Sequence, residues 1–181
     1  HDMSARRDTM NCCLFNVKDV LTGGFEMGNL WYNEPKTLEV AFDVIGDIVL
    51  SAASQQYGGF TVPSVDLLLE PFAEKSYEKY YRRYIDMGLT ARIADREAMK
   101  DIQKDFDQGF QGWEYKFNTV ASSRGDYPFI TMTFGTGTGK FAKIASITML
   151  NVRRKGQGKK NCKKPVLFPK LVFLYDENLH G

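Results

Sequence analysis

The most reactive side chains in this sequence are its three thiols, and two of them are adjacent. Cys12 and Cys13 lie in the mostly apolar run Met10-Asn11-Cys12-Cys13-Leu14-Phe15-Asn16-Val17, which reads as a short strand over residues 10–17. Successive strand side chains point to opposite faces, so one of the pair faces a core and the other a site. On spacing alone a free cysteine in an apolar strand behaves as a small hydrophobe, and the choice between packing and chemistry stays open. Cys162 sits in a basic, glycine-rich stretch and is assigned no chemistry. An odd cysteine count in a chain of this size fits a reducing, cytoplasmic setting better than a disulfide framework. There is no Cys-x-x-Cys, and the two histidines, His1 and His180, stand at the two ends. Neither a four-ligand zinc site nor a Ser-His-Asp or Cys-His arrangement can be assembled from them, so no metal ligands are assigned.

Gly135-Thr136-Gly137-Thr138-Gly139-Lys140 invites a phosphate-loop reading, because a glycine-rich turn lets backbone N–H groups converge on an anion. It departs from the Walker pattern twice: Phe134 stands where the first glycine belongs, and Phe141 where Ser or Thr follows the lysine. A tight strand-to-helix connection is the better reading. The run from Arg153 to Lys164 holds seven of the 24 Lys and Arg, leaving the other 17 to face 22 acids. It lacks the aromatic residues on which single-stranded nucleic acid stacks, so it reads as a solvated loop. Asp43 and Asp47, four apart, read as a solvated helical stripe.

The elements that must hold these residues follow from periodicity. The 181 residues, 43% apolar with a net charge of +2, support one sizeable core and give electrostatics no partner to name. No apolar run approaches the roughly 18 residues of a membrane span, and the amino end lacks the apolar region of a secretory signal. A chain that starts at His1 is expected to be a piece of something longer. After a turn-rich stretch around Gly23, Gly24 and Gly28, Pro35 is expected to open a helix over about 35–57 at its first turn. Gly58-Gly59 should stop it and lead to an antiparallel partner over 63–86, kinked or split at Pro71. Met99, Ile102, Phe106, Phe110, Trp113 and Phe117 mark a third helix over about 95–117. A strand over 127–134, a helix over 140–154 with Ile144, Ile147, Met149 and Leu150 inward, and a buried strand over 166–175 form a parallel crossover unit.

Beyond these patterns, the sequence resembles a known family along its whole length. Asn11-Cys12-Cys13-Leu14, Gly24-Phe25-Glu26-Met27-Gly28-Asn29, Glu34-Pro35-Lys36, Ser54-Gln55-Gln56-Tyr57-Gly58-Gly59, Ser76-Tyr77-Glu78-Lys79, Glu114-Tyr115-Lys116-Phe117-Asn118-Thr119, Ser123-Arg124-Gly125-Asp126-Tyr127-Pro128-Phe129 and Phe168-Pro169-Lys170-Leu171-Val172-Phe173 occur in order. Together they resemble the anaerobic, class III ribonucleoside-triphosphate reductases.

The resemblance implies an α/β fold, the amino-terminal part of a ten-stranded α/β barrel with long amphipathic helices forming a dimerisation and effector bundle. Strands at Cys12, Phe129 and Val172 would belong to its wall. It implies glycyl-radical chemistry: a radical stored on a glycine passes to a cysteine whose thiyl takes the ribose 3′ hydrogen, and the 2′ hydroxyl leaves as water. The family's cysteine in the Asn-Cys motif falls on Cys12, as a source of reducing equivalents at the 2′ face. Ser122, Ser123, Arg124 and Gly125 fall in the family's substrate-binding loop. Several members have Asn where this chain has Arg124, which puts formate as reductant in doubt and opens a thiol donor. Lys36 and Glu34 fall near the deoxynucleotide effector site. Implied partners are a ribonucleoside triphosphate, a deoxynucleotide effector, a radical-SAM activating enzyme and a second copy, with no membrane and no nucleic acid. The glycyl radical and a zinc ion would sit on segments this chain does not contain, so the chain alone is expected to be inactive. The alternative is a non-catalytic nucleotide-binding or dimerisation module; an RNA-binding protein using the basic stretch ranks last.

Overall fold

The computed structural model describes residues 12–56, 58–119 and 127–181. It begins with β1 (Cys13–Leu14), a short helix α1 (Val17–Leu21) and a hairpin of β2 (Phe25–Met27) and β3 (Leu30–Tyr32). There follow α2 (Leu38–Ala53), β4 (Phe60–Val62), α3 (Val65–Asp86), α4 (Ala91–Thr119) and β5 (Ile130–Phe134). The chain continues through α5 (Lys140–Lys155), a second hairpin of β6 (Gln157–Lys159) and β7 (Cys162–Lys164), β8 (Lys170–Phe173) and the single turn α6 (Glu177–His180).

β1, β4, β5 and β8 pair in that order into one parallel sheet. Parallel strands need crossover connections, and right-handed crossovers between successive neighbours deliver the helices to one face. α2, α3, α4 and α5 pack against one another there. Phe60, Val62, Ile130, Met132 and Phe134 point into that layer and are buried. Together with the inward stripes of the helices they make one core.

The stripe of α4 is the one the periodicity predicts. Ile102, Phe106, Phe110, Trp113 and Phe117 of α4 are all buried, and Phe42 of α2 meets three of them edge-on. The Trp113 indole N–H donates to the Phe42 carbonyl at 2.7 Å, so the ring's one polar atom is satisfied inside the core. α3 and α4 turn back on each other at Gly88, whose φ of +85° suits glycine. Along that hairpin Tyr77, Tyr80 and Tyr84 donate to Asp95, Asp105 and Asp101 at 2.5, 2.7 and 2.9 Å.

Several expectations are corrected. α2 starts at Leu38 rather than Pro35: Thr37 caps it, with its hydroxyl accepting the Val40 N–H. Gly58-Gly59 does not join two antiparallel helices, because β4 intervenes and makes α2 a crossover between parallel strands. Three residues, Phe-Thr-Val, carry too little alternation to announce a strand. Pro71 does not split α3, which runs through it, and packing on α4 and α5 outweighs the local cost. In α5 the inward face is Phe141, Ala142, Ala145, Thr148, Met149 and Val152, whereas Ile147 and Leu150 face outward. Small residues on that face let the helix lie close to its neighbours. The expected buried strand over 166–175 shrinks to β8, an edge strand with Phe173 half exposed. The basic stretch is an ordered hairpin, β6–β7, rather than a loop.

Candidate functional site

Among the described residues, helices cover one face of the sheet, and the other carries the residues of interest. Strand register sets Leu14 beside Thr61, Thr61 beside Thr131, and Thr131 beside Lys170 in a single row across all four strands. Thr133 and Val172 form a second pair on the same face. Cys12 immediately precedes β1 and is exposed, while Cys13 is half-buried and packs against the core. Alternation therefore sends the Cys12 thiol to the open face with Leu14. Gly59, next to Thr61's strand start, leaves it room: a Cβ there would stand 4.0 Å from the Cys12 sulfur. The two cysteines do point to opposite sides, Cys13 toward the core and Cys12 to the open face. Ser122, Ser123, Arg124 and Gly125 lie outside the described residues. The chain re-enters at Tyr127, and the Phe129 carbonyl accepts the Phe60 N–H at 2.9 Å, beside Gly59.

The glycine loop between β5 and α5 does form an anion nest, and the protein fills it itself. The Oδ2 of Asp66 accepts N–H groups from Gly135 and Gly137, and Glu70 Oε1 accepts from Ala142 at 3.3 Å. Asp66 and Glu70 stand four apart on the first turns of α3 and present both carboxylates to the loop. A Cβ on Gly139 would collide with the Glu70 carboxylate, and one on Gly137 with Ala142. The glycines serve close packing, and no phosphate is needed to satisfy the loop.

Lys36 is exposed just before the Thr37 cap, and neither an ion pair nor a hydrogen bond to another described residue engages it. Glu34 is committed elsewhere: Lys75 of α3 donates to it at 2.8 Å and holds its carboxyl below the usual carboxylate range. The amino end of α2 offers an anion little, because Ser76 Oγ already accepts the Leu38 N–H at 2.7 Å and Thr37 the Val40 N–H. Two amino-end donors of α2 are thus already satisfied, and Lys36 stands beside them as an exposed cation.

Residues that sequence reading missed fix the approach to β8. Asn118, at the end of α4, donates to the Phe168 carbonyl at 2.6 Å and accepts the Phe168 N–H at 3.1 Å. Arg153 donates to the Pro169 carbonyl and, through Nε, to the buried carboxylate of Glu114, both at 2.7 Å. Gln157 reaches the second Glu114 oxygen at 2.6 Å. Arg153 is therefore half-buried and committed to these partners rather than part of a solvated basic stretch. Among the described residues no cluster of three His, Cys, Asp or Glu could hold a metal, and no helix is long and apolar enough to cross a membrane.

Comparison with known proteins identifies the family. The family model described as anaerobic ribonucleoside-triphosphate reductase matches residues 1–180. The chain is 36% identical over 179 residues to the enzyme of that name from Enterobacteria phage T4, and 37% identical over 170 residues to that of Salmonella typhimurium. These alignments cover 99% and 94% of this chain but only 29% and 23% of those relatives. Among solved structures, the anaerobic ribonucleotide reductase from Thermotoga maritima in complex with dATP and CTP aligns with a TM-score of 0.51 at 14% identity, over 77% of this chain and 23% of that one. That likeness concerns the fold.

Proposed function

Because the chain belongs to the anaerobic ribonucleoside-triphosphate reductase family, we propose that it forms part of the catalytic barrel of such an enzyme. In that enzyme the open sheet face is the wall of the substrate chamber. The strand order supports this. Each parallel strand lies beside its predecessor with no reversal, the order of a barrel wall, whereas a doubly wound sheet reverses direction at a switch point. Leu14 and Phe129, both well exposed, and the single-neighbour strands β1 and β8 are what a wall awaiting further strands presents.

The observation that carries the reading is the Cys12 thiol on this open face, in the Asn-Cys motif and opposite a glycine. The glycyl radical of the family supplies the oxidising equivalent that starts the reaction. What this chain contributes is a thiol whose weak S–H bond exchanges hydrogen with a sugar radical. Cys12 gives up its hydrogen toward the ribose 2′ carbon as the 2′ hydroxyl departs with a proton as water. Formate, oxidised to carbon dioxide, or a pair of thiols, oxidised to a disulfide, supplies the two electrons of the overall reduction and restores the Cys12 thiol. The described residues hold no cluster fitting zinc, so no step here runs through that metal. Lys36 contributes to deoxynucleotide effector binding, and the α3–α4 hairpin to a dimer of the full enzyme.

Replacing Cys12 tests the proposal. In the full-length, activated enzyme, Cys12→Ser should abolish formation of deoxynucleotide while leaving ribonucleotide binding unchanged. Normal turnover by that variant would make Cys12 a packing residue and leave the binding-module reading, for which Lys36→Ala should weaken deoxynucleotide binding without altering the fold.

A further inference from the structure

We infer that Lys170 is the cation that takes the triphosphate of the substrate, an assignment that rests on reading the open sheet face as the chamber wall. Register places Lys170 in the same cross-sheet row as Leu14, Thr61 and Thr131. Of the described strand residues on that face it alone is charged, and no carboxylate of those strands accompanies it. Lys170 is exposed and makes no ion pair with any described residue.

The backbone that carries it is held, unlike that of an ordinary surface lysine. Asn118 fixes Phe168 through both its N–H and its carbonyl, and Arg153 fixes the carbonyl of Pro169, the residue immediately before Lys170. Two helices thus present this lysine at the start of β8. Leu171, its neighbour, turns to the helical side and packs against the core, which leaves Lys170 facing the open side.

Closing the wall would enclose an ammonium group with threonine hydroxyls and no counter-charge from these four strands. An enclosed, unpaired charge is strongly unfavourable, so the chamber calls for an anion beside β8. A nucleoside triphosphate brings one. Three strand spacings of about 4.8 Å separate β1 from β8, roughly 14 Å on a flat sheet and less on a curved one. The sugar end can therefore meet Cys12 at one side while the phosphate end meets Lys170 at the other. Thr61 and Thr131 lie between them, with hydroxyls suited to the intervening oxygens.

The test compares two ligands on the full-length enzyme: a ribonucleoside triphosphate and the same ribonucleoside without phosphates. Lys170→Gln should weaken triphosphate binding by about 10- to 100-fold and leave nucleoside binding unchanged. Lys170→Arg should retain most of the preference. A purely structural role would shift both ligands together, and that result, or an unchanged triphosphate affinity, overturns the assignment. An acid on another strand that pairs with Lys170 would appear as lost stability without lost discrimination, and overturns it too. Failure of the chamber reading is separately visible as normal turnover by Cys12→Ser, whereas the binding comparison decides Lys170 in either case.

Discussion

Asp66 accepts the N–H groups of Gly135 and Gly137 on one oxygen, at 3.0 and 2.9 Å, from a position 69 and 71 residues earlier in the chain. Its other oxygen, Oδ1, is buried and finds no partner among the described residues. The carboxylate thus does for this loop what a bound phosphate does for a nucleotide-binding loop: it neutralises converging amide dipoles.

Emptying the nest should therefore destabilise the protein and expose a latent anion site. Asp66→Ala removes two charge-assisted bonds and leaves two donors without an acceptor, a loss of about 3 kcal/mol in urea unfolding. Inorganic phosphate should raise the melting temperature of this variant and leave that of the parent protein unmoved. Equal stabilisation of both would mean that the nest is open to solvent anions even with Asp66 in place.

Two glycines of α4 should respond in opposite directions to the same change. A Cβ on Gly109 would run into the ring of Phe42, which Phe106, Phe110 and Trp113 already surround. Gly109→Ala should cost about 1–2 kcal/mol net of its helix-propensity gain. Gly112 faces open space, so Gly112→Ala should add about 0.5–1 kcal/mol. Thermal melting of the two variants side by side checks the close approach of α2 to α4.

The tyrosine ladder predicts an alkaline weakness. Burial, then the bond to Asp95, raises the Tyr77 phenol from 10 to about 12. The folded state holds this proton more tightly than the unfolded chain, so its contribution is complete below about pH 10 and is lost between 10 and 12. Tyr80 is raised for the same reasons, with Asp105 as its acceptor. Tyr77→Phe should cost about 1 kcal/mol at neutral pH by losing the hydrogen bond. It should also flatten part of the fall in melting temperature above pH 10, leaving the share due to Tyr80. An unchanged alkaline slope would detach Tyr77 from it.

What was legible in the sequence was what repeats locally. The α4 stripe could be read because five aromatic or aliphatic side chains recur at helical spacing over more than four turns, and the two faces of Cys12 and Cys13 because alternation needs only two residues. β4 escaped because a three-residue strand has no period. β6–β7 escaped because both strands are polar and exposed, so no face is marked. The filling of the glycine loop by Asp66, and the role of Arg153, depend on partners 69 and 39 positions away. Nothing in local spacing encodes such pairs. Lys170 stood inside a quoted motif, yet its side of the sheet became visible only once register with Thr131 was known.

Glu114 should prove to be the anchor of β8 rather than one more buried charge. It is nearly inaccessible, accepts from Arg153 and Gln157, and its backbone carbonyl accepts from Asn118, so both groups that grip Phe168-Pro169 lead back to it. Glu114→Gln removes the charge opposite a guanidinium that is itself mostly enclosed, and breaking such a pair should cost about 3 kcal/mol. If the network merely filled space, that loss would spread over the whole core. As an anchor it should act locally, with amide exchange of Leu171, Val172 and Phe173 accelerated ahead of Ile130 to Phe134 in the same sheet. Exchange that speeds up uniformly across β5 and β8 would remove the anchoring role, and with it the mechanical support for Lys170.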